Sequence, residues 1–399
     1  MKGKKVWLIS PFSPIPGEGW GGVKTHAEYL AQLLCSLGAE LTVIVPEGIS
    51  RPGLSPLGFR VANVPSSALP HTGAWRAAMR AAAERLAAES RPDVVFSEGY
   101  TAAGCESFLK STGIPLAAFV HNFHLVHFYN TAQEISGSRS LLAYLLKTLP
   151  LTACKMIFRE IPFYRSCRLV LPVSDFNHAL LRRYYFLPEA SLMTFHNWID
   201  AGVFKKQQAI ARAEFGMGDE DIVLVMTGSS WRPKGFHLAL KAFGEAWKKS
   251  PNLRLIAIGA GVTPAFVHEQ GLPAGAEKRV TPLGKIDRLD LPGIYSASDI
   301  FLLPSLISEA CSYVLIEAMA SGLPAISTDV GGNRERPMGA AMLVPPDHRS
   351  MSMAISRLAL DRDMRAELGK LSIAAAEANY SVAAAAKNLN AVLKKLGLL

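Results

Sequence analysis

The chain has 399 residues, more than one ordinary domain needs, so two domains are expected. Hydrophobic residues make up 49% and charged residues 19%, which gives each domain a sizeable core and excludes wholesale disorder. The net charge of +9 favours anionic partners such as phosphates or an acidic membrane surface, but the cations are spread along the chain rather than gathered in a block, which sets nucleic-acid binding aside.

The N-terminus, MKGKKVWLISPF, has lysines ahead of a short apolar run that Ser10-Pro11 ends. A signal peptide needs a longer apolar core and a small-residue cleavage site, so Val6 to Ser10 is expected to be a first β-strand. The loop PFSPIPGEGWGG leads into VKTHAEYLAQLLCSLG, where Ala27, Leu30, Ala31, Leu34 and Leu37 recur at helical spacing until Gly38. Leu41 to Val45 reads as a second strand and Ala74 to Glu89 as a helix. Val94 to Phe96, Leu116 to Val120 and Leu169 to Val173 have the unbroken apolarity of strands buried on both faces. Residues 139–169 mix Leu, Ile, Phe and Tyr with Arg139, Lys147, Lys155, Arg159, Arg165 and Arg168. Two readings stay open there: a long helix packed on the first domain with cations outward, or a surface lying on an anionic membrane. No stretch has the roughly 18 unbroken apolar residues of a membrane span.

The strand–helix alternation restarts after residue 200. Ile222 to Thr227, Leu253 to Ile258, Ile300 to Leu303 and Ala325 to Thr328 read as strands, and His237 to Lys248 as a helix. With the junction in FHNWIDAGVFKK, the domains are expected over 1–198 and 199–378. A closing helix over 379–399, with Ser381 as a plausible N-cap, is expected to cross back to the first domain. Such alternation predicts parallel sheets covered by helices, whose ligands bind in loops at the carboxyl ends of the strands. Five scattered cysteines without a C-x-x-C pair fit a reducing cytosol rather than a disulfide framework or zinc knuckle.

The stretch EACSYVLIEAMASGLP carries two carboxylates, Glu309 and Glu317, with nothing charged between them. Pro304-Ser305 and Ser308 place Glu309 in a loop. Ser312 caps a helix that holds Glu317 and runs to about Ser321, with Gly322 and Pro324 as stop signals. Free N–H groups at Ser312, Tyr313 and Val314 can bind an anion, and flanking carboxylates suit a ligand carrying both phosphates and hydroxyls. Taken alone, the pair reads equally well as solvated helix residues. His121, His124 and His127, three apart, raise a metal site that no local carboxylate or cysteine supports; His121 also reads as a hydrogen-bonded core histidine. Glu98, ending a strand, either faces a ligand or pairs with a cation. Ser174 reads as a helix N-cap.

Several ordered segments together resemble the retaining glycosyltransferases of the GT-B fold, particularly family 4. They are GGVKTHAEYLAQLLCSLGAELTVI, LVLPVSDFNHALLRRY, HNWIDAGVF, MTGSSWRPKGFHLALKAF, IYSASDIFLLPS and the glutamate motif. The resemblance covers nearly the whole chain. It implies two facing Rossmann-like domains with a cleft between them, and a metal-independent enzyme without a cofactor. The implied reaction moves a sugar from a nucleotide diphosphate donor, UDP- or GDP-linked rather than ADP-linked, to a glycan or lipid-linked acceptor. The implied setting is bacterial glycan, polysaccharide or glycolipid synthesis, in the cytoplasm or on the inner membrane face.

By the same resemblance, Glu317 bonds the ribose, Glu309 bonds hydroxyls of the donor sugar, and Lys234 contacts the diphosphate. Gly228 allows close backbone approach, Lys285 borders the base, Gly21 and Gly22 open a helix beside the donor or acceptor, and His121 faces the donor sugar. Three positions depart from the pattern. Ser229 stands where Arg is usual, with Arg232 a nearby substitute. Cys311-Ser312 replaces Phe-Gly, and Asn197-Trp198 replaces Asn-Gly at a turn where Trp resists positive φ. A sugar-nucleotide epimerase and a non-catalytic nucleotide-sugar binder are the other readings. An NAD enzyme is disfavoured because no G-x-G-x-x-G follows the first strand.

Overall fold

The unbroken apolar runs form buried strands of two sheets. The computed structural model describes residues 1–18, 21–65, 72–135, 138–205, 212–228, 232–335 and 339–399. Ser229 and the side chain of Arg139 lie outside this description. The chain divides into two units, Met1–Asn197 with Ala385–Leu399, and Trp198–Ala384.

In the first unit the strands are β1 (Lys5–Ile9), β2 (Glu40–Pro46), β3 (Gly53–Leu54), β4 (Arg60–Val64), β5 (Val94–Glu98), β6 (Leu116–Val120) and β7 (Leu169–Pro172). Their order is β3-β4-β2-β1-β5-β6-β7, parallel throughout except for β3 against β4. Every residue of β5, β6 and β7 is buried, which is why those runs are apolar without alternation. The helix Gly73–Glu89 starts from Thr72, whose hydroxyl accepts from the Trp75 N–H, and packs Trp75, Met79 and Leu86 into the core beside Val95 and Ala118. Ser174 caps the helix Asp175–Tyr184 by accepting from the Asn177 N–H.

The second unit holds β8 (Ile222–Gly228), β9 (Leu253–Gly259), β10 (Val280–Gly284), β11 (Ile300–Leu303), β12 (Ala325–Thr328) and β13 (Ala341–Val344). All are parallel, in the order β10-β9-β8-β11-β12-β13. The chain ends in two helices, Arg362–Tyr380 and Val382–Lys395. Ser381 caps the second, accepting from the Ala384 N–H at 3.2 Å. That helix belongs to the first unit from Ala385 on, where the Lys395 Nζ donates to the Leu192 carbonyl.

Strands β3, β4, β10 and β13 were not anticipated from the sequence. They lie at or beside sheet edges and are partly exposed, so the apolar run breaks up. Thus β10 reads VTPLG, and its register with β9 shifts between Pro282 and Gly284.

In both sheets the chain winds outward from a central strand, first to one side and then to the other. The point of reversal is β1/β5 in the first unit and β8/β11 in the second. Adjacent loops diverge there at the carboxyl ends of the strands, opening room for a ligand.

At β8/β11 the loops also touch. Gly235 has φ +68°, and a Cβ there would stand 1.9 Å from the Pro304 carbonyl oxygen. Gly235→Ala is therefore expected to destabilise the second unit by roughly 2–4 kcal/mol. Gly218→Ala, with nothing within 4 Å of the added methyl, serves as the control. Equal unfolding midpoints for the two variants in a chemical denaturation series would refute the close approach.

Candidate active site

At the carboxyl edge of the second sheet, the loops after β8, β11 and β12 are tied to one another. The Leu306 N–H donates to the Pro233 carbonyl at 2.9 Å, the Thr328 hydroxyl to the Ser305 carbonyl at 2.6 Å, and the Gly332 N–H to the Glu309 carbonyl at 2.7 Å. A Cβ at Gly332 would lie 2.3 Å from the Ala310 carbonyl oxygen, so this backing loop needs glycine.

The frame brings Lys234 from the β8 loop onto Glu309 of the β11 loop, where Nζ donates to Oε1. The Ser305 hydroxyl donates to the same oxygen at 2.6 Å. Gly228 ends β8 beside them; a Cβ there would stand 3.0 Å from the Lys234 Cγ and crowd that side chain.

The helix after this loop runs Tyr313–Ala320, with Ser312 at its N-cap position. Ser312 makes no side-chain cap, so the capping bond expected of it is absent and its hydroxyl leaves the first-turn amides to other acceptors. Cys311, Ser312 and Tyr313 are buried beside the motif, and Val314 follows in the first turn.

Glu317 lies inside the helix and is 1% exposed. Its Oε1 accepts from Arg288 through Nε at 3.1 Å and through a terminal guanidinium nitrogen at 2.6 Å. Its Oε2 is buried and has no hydrogen-bond partner among the described residues. Burial, and then the nearby Glu317 carboxylate, push the Tyr295 phenol well above its ordinary value. Arg288 went unnoticed in the sequence because it is 29 positions from Glu317 and belongs to no local pattern. Lys285, directly after β10, and Arg232 after β8 are both exposed.

In the first unit, His121 follows β6, Glu98 ends β5, and His26 comes from the helix Gly22–Ser36, which Gly21 opens at φ +120°. His26 Nδ1 and His121 Nε2 each lie 2.7 Å from a different oxygen of Glu98. A carboxylate only accepts, so both nitrogens carry the proton, and the Nδ1 of His121 faces away from Glu98. Both contacts are shorter than the spacing of about 3.3 Å between two ligands of a tetrahedral zinc with bonds of about 2.0 Å; this is hydrogen-bond geometry.

His124, by contrast, lies 2.8 Å from the buried Glu160. The three histidines therefore do not share one helix face. His121 precedes the helix His124–Glu134 and turns to a different carboxylate. The sequence weighed Glu98 and missed His26; its one signal was a histidine within the apolar face formed by Ala27, Leu30 and Leu34.

A groove of about 670 Å³, lined by residues including Asp299, Arg362, Arg365 and Lys370, lies at the opposite, amino-terminal edge of the second sheet. Asp299 and Pro324 on its wall directly precede β11 and β12, so it is remote from Glu309.

Two family models match the chain: "Glycosyltransferase Family 4" over residues 20–203, and "Glycosyl transferases group 1" over 221–361. The chain belongs to the group 1, family 4 glycosyltransferases. Spore coat protein SA of Bacillus subtilis is 29% identical over 215 residues, 51% of this chain and 56% of that protein. The chain thus spans little more than half the length of that relative. Among solved structures, sucrose-phosphate synthase from Thermosynechococcus elongatus is similar with a TM-score of 0.76 at 20% identity, over 99% of both chains. Anabaena HepE in complex with UDP and glucose has a TM-score of 0.71 at 16% identity, over 98% of this chain and 99% of that one. At these identities the likeness establishes the fold, which in this group 1 glycosyltransferase is GT-B.

Burial alone would raise the Glu98 carboxyl, but the charges and hydrogen bonds of the two imidazoles outweigh it and hold the group at about 2 against an ordinary 4.5. Burial also lowers His26, in spite of Glu98. The stability that Glu98 contributes is present above pH 4.5 and is lost as pH falls toward 2; His26, held neutral, adds a loss below its ordinary 6.5. Glu98→Gln is expected to lower the unfolding midpoint at pH 7 and to flatten its fall below pH 4.5, read by calorimetry. A curve parallel to that of the parent protein in that window would show that the carboxylate is not held this way.

Proposed function

We propose that the protein transfers a glycosyl group from a nucleoside diphosphate sugar to an acceptor hydroxyl, with retention at the anomeric carbon. The observation that carries this reading is the constellation at the β8/β11 reversal. A lysine and two carboxylates, one of them with a buried unpartnered oxygen, surround the start of an uncapped helix. The complexes of HepE with UDP and glucose, and with UDP-glucose, support the donor class.

In this reading Glu317 Oε2 accepts from the ribose hydroxyls, which supply the hydrogen bonds that the buried oxygen lacks. The amides at Ser312, Tyr313 and Val314 hold the diphosphate. Lys234 turns from Glu309 to the phosphate oxygens and offsets the charge that grows on the leaving group. Glu309, released from the lysine and steadied by Ser305, accepts from hydroxyls of the donor sugar. Gly228 keeps the floor of the site clear, while Lys285 and Arg232 add cationic reach at the rim. In the first unit His121 presents Nδ1 to the donor sugar, and Gly21–Gly22 leave the start of their helix open to the substrate.

The anomeric C–O bond to the diphosphate breaks and a C–O bond to the acceptor forms on the same face. The acceptor proton passes to the departing diphosphate oxygen. The protein's part is positioning and charge stabilisation.

A thermal-shift panel of UDP-, GDP- and ADP-sugars is expected to favour UDP- or GDP-linked donors. Lys234→Ala and Glu309→Ala are expected to lower kcat by about a hundredfold or more, beyond any weakening of donor binding. Glu317→Ala is expected to weaken donor binding instead. An inverted product anomer in the proton NMR spectrum, or near-normal turnover in the Lys234 and Glu309 variants, would overturn the mechanism.

A further inference from the structure

We infer that the helical run from Ser138 to Arg168, with the adjoining turn at residues 182–186, is a docking surface for an anionic lipid bilayer. This inference is independent of the transfer reaction and rests on the first unit alone. The run comprises a helix Ser138–Lys155, a π-helical turn Met156–Glu160 and a helix Ile161–Ser166. By length and composition Ser140–Ser166 is apolar enough to cross a bilayer, yet only 6% of its most apolar window is buried in the protein. Leu142, Leu146, Leu149, Leu151, Ile157 and Phe158 are all exposed, Leu146 and Phe158 each to 72%. A monomer's surface rarely leaves so many large apolar groups together without a partner.

Both ends of the run are fixed to the unit, so it lies along a surface rather than spanning one. Near the start, Tyr144 stacks on Phe128 with ring centroids 5.5 Å apart. Near the end, Phe163 and Tyr164 are buried in the core. Between them Glu160, 1% exposed, accepts from the Tyr185 hydroxyl and the His124 N–H. The π-turn adds a residue to the helical repeat, which lets Glu160 point inward while Ile157, Phe158 and Arg159 remain exposed.

The charge decides the occupant. Glu160 is the one acidic residue between Ser138 and Arg168, and it is buried. The exposed ionic groups of the segment are cations: Lys147, Arg159, Arg165 and Arg168. A second copy meeting this face across a two-fold axis would set like charges together. The apolar positions are also too widely spread for a helix–helix seam: Leu142, Leu146 and Leu149 follow one stripe, but Leu151 lies half a turn away from it. Exposed apolar side chains on more than one side of the run, with cations between them, suit a segment sunk among acyl chains below anionic headgroups.

The neighbouring turn extends the surface. Arg165 donates to the Phe186 carbonyl at 3.5 Å. Phe186 is 69% exposed and is the one non-glycine residue with positive φ among those described, at 52°. An aromatic side chain held outward on a left-handed backbone beside Arg182, Arg183 and Tyr184 repeats the pairing of apolar tip and cation.

Co-sedimentation of the full chain with phosphatidylcholine vesicles, with and without roughly 30% phosphatidylglycerol, tests the proposal. Binding to the anionic vesicles is expected to exceed neutral binding by at least about tenfold at low salt, and the excess to vanish near about 0.5 M NaCl. The double variant L142E/L146E is expected to lose about tenfold or more in binding with an unchanged unfolding midpoint. K147E/R159E is expected to lose the anionic preference, and carries the test if the first variant does not fold. Failure of the parent protein to bind anionic vesicles at low salt, or equal binding to neutral ones, overturns the proposal. So does a dimer in light scattering that L142E/L146E dissociates while vesicle binding persists. Donor thermal shifts in the same samples are expected to stay unchanged, which separates this result from the reading of the active site.

Discussion

The candidate site depends on the close approach of two loops where the second sheet reverses its winding. Parallel strands send their following loops out from the same edge, and the reversal between β8 and β11 lets two of them meet without a helix between them. Contact at that distance leaves no room for a side chain at Gly235. It also supplies the backbone bond from Leu306 to Pro233 that fixes the relative height of Lys234 and Glu309. The loop after β12 then closes on Glu309 from behind, through Gly332 and through Thr328 under Ser305. Lys234 and Glu309 of the candidate site are thus held by three loops bonded to one another.

Electrostatics gives that frame a use. Both glutamates arrive with a cation, Lys234 for Glu309 and Arg288 for Glu317, because a buried carboxylate without a partner is costly. The pairs are not equivalent. Arg288 places two donors on a single oxygen and leaves the other one bare and buried. Lys234 is a flexible point charge that shares its acceptor with Ser305, so Glu309 keeps a hydrogen bond if the lysine moves away. The first arrangement suits a fixed hydroxyl-binding group. The second suits an exchange of partners as negative charge enters, which is what the proposed reaction asks of it.

Central strands were legible in the sequence because burial on both faces leaves an uninterrupted apolar run, as in LAAFV and IFLL. Burial rather than position decides this: LVLP was legible although β7 ends its sheet, because it is buried throughout, whereas RVANV and VTPLG are partly exposed and carry polar or proline residues that break the run. For the site, the glutamate pair, Lys234 and the glycines are visible because each is tied to a loop–helix boundary with local punctuation. Arg288 and His26 are invisible because their partners lie 29 and 72 positions away, and only the folded sheet brings them together. The histidine triplet, weighed as a metal site and set aside, is the opposite case. Its spacing of three implies a shared helix face only if the helix already includes His121, and it does not begin until His124.

The charge distribution of the first unit follows from how its interior is satisfied. Its two deeply buried acids, Glu98 and Glu160, are met by imidazoles and a phenol rather than by lysine or arginine. Burial and the Glu160 carboxylate push the Tyr185 phenol far up, so it stays protonated and remains a donor. Satisfying these carboxylates with uncharged or readily neutralised donors consumes no permanent cation. Lys147, Arg159, Arg165 and Arg168 are thereby left to the surface, with Glu160, the one acid in residues 138–168, already turned inward. Those cations thus stand among exposed apolar side chains with no exposed acid in the same stretch.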